Sequence, residues 1–161
     1  MKKLLIIGCG GHGKVVREIA KDIGYIDIAF LDDNSNEAIG KISDMSTFYP
    51  QYNEAFVSIG NNKFRCEVIS KLEECGFKVP NLIHPTAYVS KSSTISNGCL
   101  IEPLSVINAN SSIGKGSIVS VGAIVDHDVN VGEFCHINSG AIVKSGGLVE
   151  SYTKIDAGEV K

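Results

Sequence analysis

The sequence predicts a small α/β domain followed by a parallel β-helix, and three observations carry that reading. A strand, Leu4 to Gly8, runs into a glycine turn and then a helix, which is how an α/β unit opens. The composition changes near His84-Pro85, because residues 1–84 hold 21 charged and 8 aromatic residues whereas residues 85–161 hold 12 charged, 3 aromatic and no Arg. From Val89 to Ile155, twelve β-branched aliphatics recur every six residues without a slip.

In the first domain, residues 1–84, the opening strand and turn lead to a helix from about Lys14 to Ile23. A second strand from about Ile26 to Leu31 ends at the acidic turn Asp32-Asp33-Asn34. After a polar, irregular stretch come a short strand, Ala55 to Ile59, and the turn Gly60-Asn61-Asn62. A helix from about Lys63 to Cys75 then ends at Gly76, a glycine placed as a C-cap. Phe64, Val68, Ile69 and Leu72 form its expected apolar face. Gly8-x-Gly10-x-x-Gly13, following a strand, opening a helix and trailed by Asp32, matches the fingerprint of Rossmann-like domains. Glycines there let the backbone approach a phosphate, and the helix start offers free amide donors. A nucleoside diphosphate meets those donors as well as a dinucleotide does.

In the second domain, residues 85–161, the residue two before each aliphatic is small in eleven of twelve cases: Ala87, Ser93, Cys99, Ser105, Ser111, Ser117, Ala123, Cys135, Ala141, Gly147 and Thr153, with Val129 the exception. A helix needs a repeat near 3.6 and an ordinary strand a repeat of two. A strict six with one large and one small inward position demands short strands joined by regular corners. Three faces of six residues make an 18-residue coil, so the twelve hexads build four coils, about 4.8 Å apart and roughly 19 Å tall in all.

Bulk properties exclude several classes. Net charge is −3 with no block of like charges, which argues against nucleic acid as a partner. The apolar run Leu4–Ile7 is too short for a signal peptide or a membrane span, so a cytoplasmic protein without membrane association is expected. Five cysteines, an odd number without CxxC spacing, favour neither a disulfide framework nor a zinc site. Cys99 and Cys135, at small inward positions, read as core residues, which leaves Cys9 in the glycine turn as the one cysteine of interest.

The hexad array resembles the left-handed parallel β-helix of hexapeptide-repeat acyltransferases. Gly8-Cys9-Gly10-Gly11-His12-Gly13-Lys14-Val15-Val16, Phe30-Leu31-Asp32-Asp33-Asn34, Gly60-Asn61-Asn62 with Arg65, and Leu82-Ile83-His84-Pro85 narrow the resemblance. Together they are similar to the sialic acid O-acetyltransferase and UDP-N-acetylbacillosamine N-acetyltransferase (PglD-like) family, over nearly the whole chain. The resemblance implies an N-terminal domain that binds a nucleotide sugar and a β-helix that binds acetyl-CoA and forms homotrimers. The implied activity is acetyl transfer to the amine of a UDP-linked 4-amino sugar, or to a hydroxyl of a related sugar, in glycan or polysaccharide synthesis, with no metal.

It also implies roles. His127, outward between Asp126 and Asp128, matches the family's catalytic base, with Asp128 as the acid that orients it; an imidazole can take the proton that an attacking amine loses. His136 matches the histidine that contacts acetyl-CoA, and Asn138, Ser145 and Gly146 are further candidate cofactor contacts. The family carries a glycine where this chain has Ser145, and a backbone amide here is the candidate oxyanion donor. Nucleotide-sugar contacts are expected from Gly10, Gly11, His12, Asp32 and Asp33, then from Asn61, Asn62 and Arg65; Arg65 reads equally well as a solvated helix residue. His127 and His136 lie nine residues apart, half a coil, so one site using both needs two subunits. Family members carry later coils and a cap beyond the point where this sequence stops, which keeps an alternative alive: a non-catalytic nucleotide-sugar-binding or scaffold protein with an incomplete acetyl-CoA site.

Overall fold

The computed structural model describes residues 1–161, which form two compact units, Met1–Pro80 and Asn81–Lys161. The first contains β1 (Lys3–Ile7), α1 (Gly11–Asp22), β2 (Asp27–Leu31), α2 (Met45–Phe48), β3 (Ala55–Val57) and α3 (Asn62–Glu74). Its three strands form one parallel sheet in the order β2-β1-β3, with Ile7 opposite Leu31 on one side and Val57 on the other. Leu4 to Ile7 are fully buried, which explains why the central strand is apolar without alternation. The chain leaves β1 toward β2 and returns past it to β3, so the strand order switches direction between β1 and β3. Ligands of open α/β sheets bind in the crevice at the carboxyl ends of strands at such a point.

One expectation is corrected in α3. Its buried residues are Arg65, Val68, Ile69 and Leu72, while Phe64 is 41% exposed. The i, i+3, i+4, i+7 stripe therefore starts one residue later, on an arginine. Arg65 can be inward because its fork of donors finds carbonyls: one terminal nitrogen donates to Ile59 O at 2.9 Å and Gly60 O at 3.3 Å, the other to Asn62 Oδ1 at 2.7 Å.

The second unit is built of two-residue strands: β4 (Leu82–Ile83), β5 (Tyr88–Val89), β6 (Thr94–Ile95), β7 (Leu100–Ile101), β8 (Val106–Ile107), β9 (Ser112–Ile113), β10 (Ile118–Val119), β11 (Ile124–Val125), β12 (Asn130–Val131), β13 (His136–Ile137), β14 (Ile142–Val143), β15 (Leu148–Val149) and β16 (Lys154–Ile155). They stack in three parallel sheets, β16-β13-β10-β7-β4, β14-β11-β8-β5 and β15-β12-β9-β6, a parallel β-helix of about four coils. Ile83 pairs with Ile101, so the period of six begins one hexad before Val89 and the unit begins at Asn81, four residues ahead of the compositional break. The registered partners are 18 residues apart, as Val125↔Val143 illustrates.

Stacking explains the side chains along the axis. Cys99, Ile101, Ile107, Ile113, Val119 and their successors fill one continuous apolar core. Val129, the large residue at a small position, is buried at 1% exposure in that core; Gly147, one coil above it, is a glycine because a Cβ there would crowd Lys144 O and Val143. Two buried serines at small positions, Ser111 and Ser117, bridge coils: Ser117 Oγ donates to Gly132 O and accepts from Cys135 N–H, each at 3.0 Å. From Gly98 to Gly158 every sixth residue has left-handed backbone, and five of these eleven are not glycine: Leu104, Asn110, Asp128, Phe134 and Tyr152. Their N–H groups bond the coil below, as Asp128 N–H does to Ala109 O at 2.9 Å.

Close stacking and backbone sign can be separated by experiment. A Cβ on Gly114 would land on the backbone of Gly132, whereas Gly122, at φ +66°, faces open space. Gly114→Ala is expected to cost about 2–3 kcal/mol and Gly122→Ala about 1 kcal/mol, read as shifts of the urea midpoint at constant slope.

Candidate active site

In the first unit the expected nucleotide-sugar residues line the carboxyl ends of the strands, and most of their polar atoms hold the backbone. Asp32 accepts the N–H of Cys9 at 2.7 Å and that of Asn34 at 2.8 Å, bonds that keep its carboxyl below the usual carboxylate range. Asp33 accepts Ile42 N–H at 3.0 Å, and Asn61 caps α3 by accepting Phe64 N–H at 2.9 Å. Arg65, with 1% exposure, braces the loop Ile59–Gly60; it is neither a solvated helix residue nor an open arm for a ligand.

The open surface is backbone. A Cβ on Gly10 or Gly11 would meet nothing within 4 Å, and both residues are exposed at the start of α1. Gly13 is different, since a Cβ there would collide with Gly8 O. The buried Ser58, which sequence reasoning passed over, ties the turn to β3 by donating to Gly8 O at 2.7 Å. Beside it His12 is held below its ordinary value of 6.5 by burial and then by the Arg65 charge. It is neutral near pH 7.

In the second unit His127 sits on the corner between β11 and β12, and its Nδ1 lies 2.7 Å from Asp128 Oδ2 with both side chains more than half exposed. The corner is fixed from several sides. Asp126 Oδ1 accepts His127 N–H at 2.8 Å, and from inside the prism Ser111 Oγ donates to Asp126 O at 2.6 Å and accepts Val129 N–H at 3.0 Å. From one coil below, Asn108 Nδ2 donates to Asp126 Oδ1 at 3.0 Å and Asn110 Nδ2 to Asp128 Oδ1 at 3.2 Å. The hydrogen bond to Asp128, and then the charges of Asp126 and Asp128, raise the His127 imidazole above 6.5. Asp128 is correspondingly lowered, first by His127 and then by Asn110. Asn108 and Asn110 were missed from sequence; the signal was their 18-residue spacing from the two acids.

His136 lies on β13, in the sheet opposite the corner that bears His127, so the half-coil separation holds within one chain. Its Nε2 is 2.9 Å from Ser120 Oγ. Below Ser120, the buried Glu102 accepts Val121 N–H at 2.9 Å, and burial pushes its carboxyl upward. Asn138 turns its Oδ1 to Ser139 N–H at 2.8 Å. Ser145 and Gly146 lie one coil above His127 and Asp128. The Gly146 N–H donates to His127 O at 3.0 Å, so the ladder between coils takes up that amide. No three of the His, Cys, Asp or Glu side chains gather to hold a metal ion, and no helix is long and apolar enough to cross a membrane.

The fold, an α/β unit followed by a parallel β-helix of hexapeptide repeats, is the one found in hexapeptide-repeat acetyltransferases. The PglD N-terminal domain family matches residues 3–72. UDP-N-acetylbacillosamine N-acetyltransferase of Bacillus subtilis (strain 168) is 31% identical over 112 residues, covering 63% of this chain and 51% of that protein; the chain matches about half the length of that relative. Among solved structures, the acetyltransferase domain of PglB from Neisseria gonorrhoeae in complex with acetyl coenzyme A superposes with a TM-score of 0.93 at 37% identity, over 99% of this chain and 81% of that one. A perosamine N-acetyltransferase variant from Caulobacter crescentus, in complex with CoA and GDP-perosamine, superposes with a TM-score of 0.90 at 30% identity, over 100% and 89%. The chain belongs to the PglD-like family of sugar acetyltransferases.

An NMR titration checks the electrostatics of both units. His127 is expected to titrate above 6.5 and His12 below it, and Asp128→Asn should bring His127 down toward 6.5 while leaving His12 unmoved.

Proposed function

We propose that this protein transfers an acetyl group from acetyl-CoA to the amine of a nucleotide-linked 4-amino sugar. The observation that carries the reading is the exposed His127 imidazole, whose Nδ1 is engaged by Asp128 at 2.7 Å. With Nδ1 bound to a carboxylate, the neutral ring keeps its proton there and presents Nε2 as the base. As the sugar amine attacks the thioester carbon, a C–N bond forms and Nε2 receives the amine proton. Collapse of the tetrahedral intermediate breaks the C–S bond and releases CoA, and the imidazolium returns its proton to the departing thiolate or to water.

His136 is assigned to the acetyl-CoA side of the site with Asn138 and Ser145, and the first unit to the nucleotide sugar through Gly10, Gly11, His12 and the Asp32-Asp33 turn. Because His127 and His136 lie on opposite sides of one prism, the complete site forms between subunits of a homotrimer. An outward stripe on the sheet beside the His127 corner supports that assembly: Tyr88 is 57% exposed, and Val106, Ile124 and Ile142 are stacked on it and half-buried. The relative from Bacillus points to a uridine and the Caulobacter protein to a guanosine nucleotide, so the nucleotide is a variable of the test. The expected compartment is the cytoplasm, where acetyl-CoA and nucleotide sugars are made.

CoA release is measured with UDP- and GDP-linked 4-amino sugars, with mass followed by light scattering. A trimer that releases CoA is expected, and His127→Ala should lose about 10²–10⁴-fold in kcat. Because the imidazole must be neutral to act and its pKa is raised, the acidic limb of the rate–pH profile should lie above 6.5. Release by a monomer would overturn the shared site, and a folded trimer that binds the sugar but releases no CoA would favour the scaffold role.

A further inference from the structure

We propose that Asn110 is a positioning residue for the His127–Asp128 pair, acting with Asn108 as a bracket one coil below the base. The inference rests on His127 being the base of the proposed reaction.

Asn110 precedes Asp128 by 18 residues, one full coil, and the two share left-handed backbone, with φ of 59° and 58°. Their side chains therefore leave successive corners in the same direction. Asn110 Nδ2 donates to Asp128 Oδ1 at 3.2 Å, which leaves Oδ2 for His127 Nδ1 at 2.7 Å. An exposed carboxylate rotates easily, because its last torsion is broad; two anchored oxygens leave it one orientation. Asn108 does the same beside it. Its Nδ2 holds Asp126 Oδ1 at 3.0 Å, the oxygen that also takes His127 N–H, while its own Oδ1 accepts Ala109 N–H at 2.9 Å.

The residue type fits the task. An amide NH₂ donates without carrying charge, so it orients the carboxylate without neutralising the charge that supports the imidazole. A lysine would neutralise it and an aspartate would repel it. Asparagine also tolerates left-handed backbone better than most residues. The charged groups around His127 are Asp126 and Asp128 on its own corner and Lys144 on the corner above; the corner below, Asn108-Ala109-Asn110, carries none, and Lys91 lies two coils below.

The test compares wild type, Asn110→Gly and Asn110→Asp as full chains. Glycine suits φ 59°, so Asn110→Gly should fold, as checked by its amide spectrum and thermal midpoint. In ¹⁵N NMR the neutral His127 of wild type should carry its proton on Nδ1, and Asn110→Gly should mix the two tautomers. Its kcat should fall about tenfold, with KM for acetyl-CoA and for the sugar unchanged. Asn110→Asp adds negative charge beside Asp128, so the acidic limb of the rate–pH profile should move to higher pH. A folded Asn110→Gly with the wild-type tautomer and kcat would overturn the proposal, as would an unmoved limb in Asn110→Asp. The tautomer is read without substrate. A shifted tautomer in a chain that releases no CoA would therefore sink the transferase reading and leave the bracket standing.

Discussion

Each coil of the β-helix takes its position from the backbone bonds that tie it to the coil beneath, and those bonds set residue n over residue n−18. His136 N–H reaches Thr153 O at 2.9 Å, Ile124 N–H reaches Ala141 O at 2.8 Å, and the left-handed corners add bonds such as Gly146 N–H to His127 O. Nothing in a two-residue strand would hold alone, since a short strand is stable only when it is paired and its faces are covered. The vertical register therefore decides where every outward side chain stands, and it gives the His127 corner a rigid base.

That register also explains how polar groups survive in the prism. Ser111 is buried, yet its hydroxyl donates to Asp126 O and accepts Val129 N–H, so the corner that bears His127 is held from inside by a residue chosen for its small size. Phe134 and Tyr152 adopt left-handed backbone, which is costly for aromatic residues. Their rings stack 5.6 Å apart, and that contact offsets part of the strain at the edge of the sheet bearing His136.

The first unit follows another logic. Its conspicuous side chains, Asp32, Asp33, Asn61, Asn62 and Arg65, spend their bonds on the loops at the strand ends. What they build is a backbone surface, with Gly10 and Gly11 open at the start of α1. Main-chain donors of that kind suit a diphosphate, and these side chains hold the loops that present them.

How much of this could be read from the chain follows from the range of each interaction. Period six identified the β-helix, its inward residues and the outward direction of His127, because a strict repeat encodes local geometry. The strand, glycine turn and helix at the N-terminus were legible for the same reason. Arg65 was not, because a helical stripe is read from apolar residues and only the folded loop supplies the carbonyls that let a guanidinium go inside. The fate of the Gly146 amide and the bonds from Asn108 and Asn110 were also invisible, since each joins residues brought together by a full turn of the prism. Local periodicity specifies both folds and where the histidines stand along the chain; packing in space settles which donors are consumed between coils and which way Asp128 faces. Repeats are set by neighbours along the chain, and hydrogen-bond partners by neighbours in space.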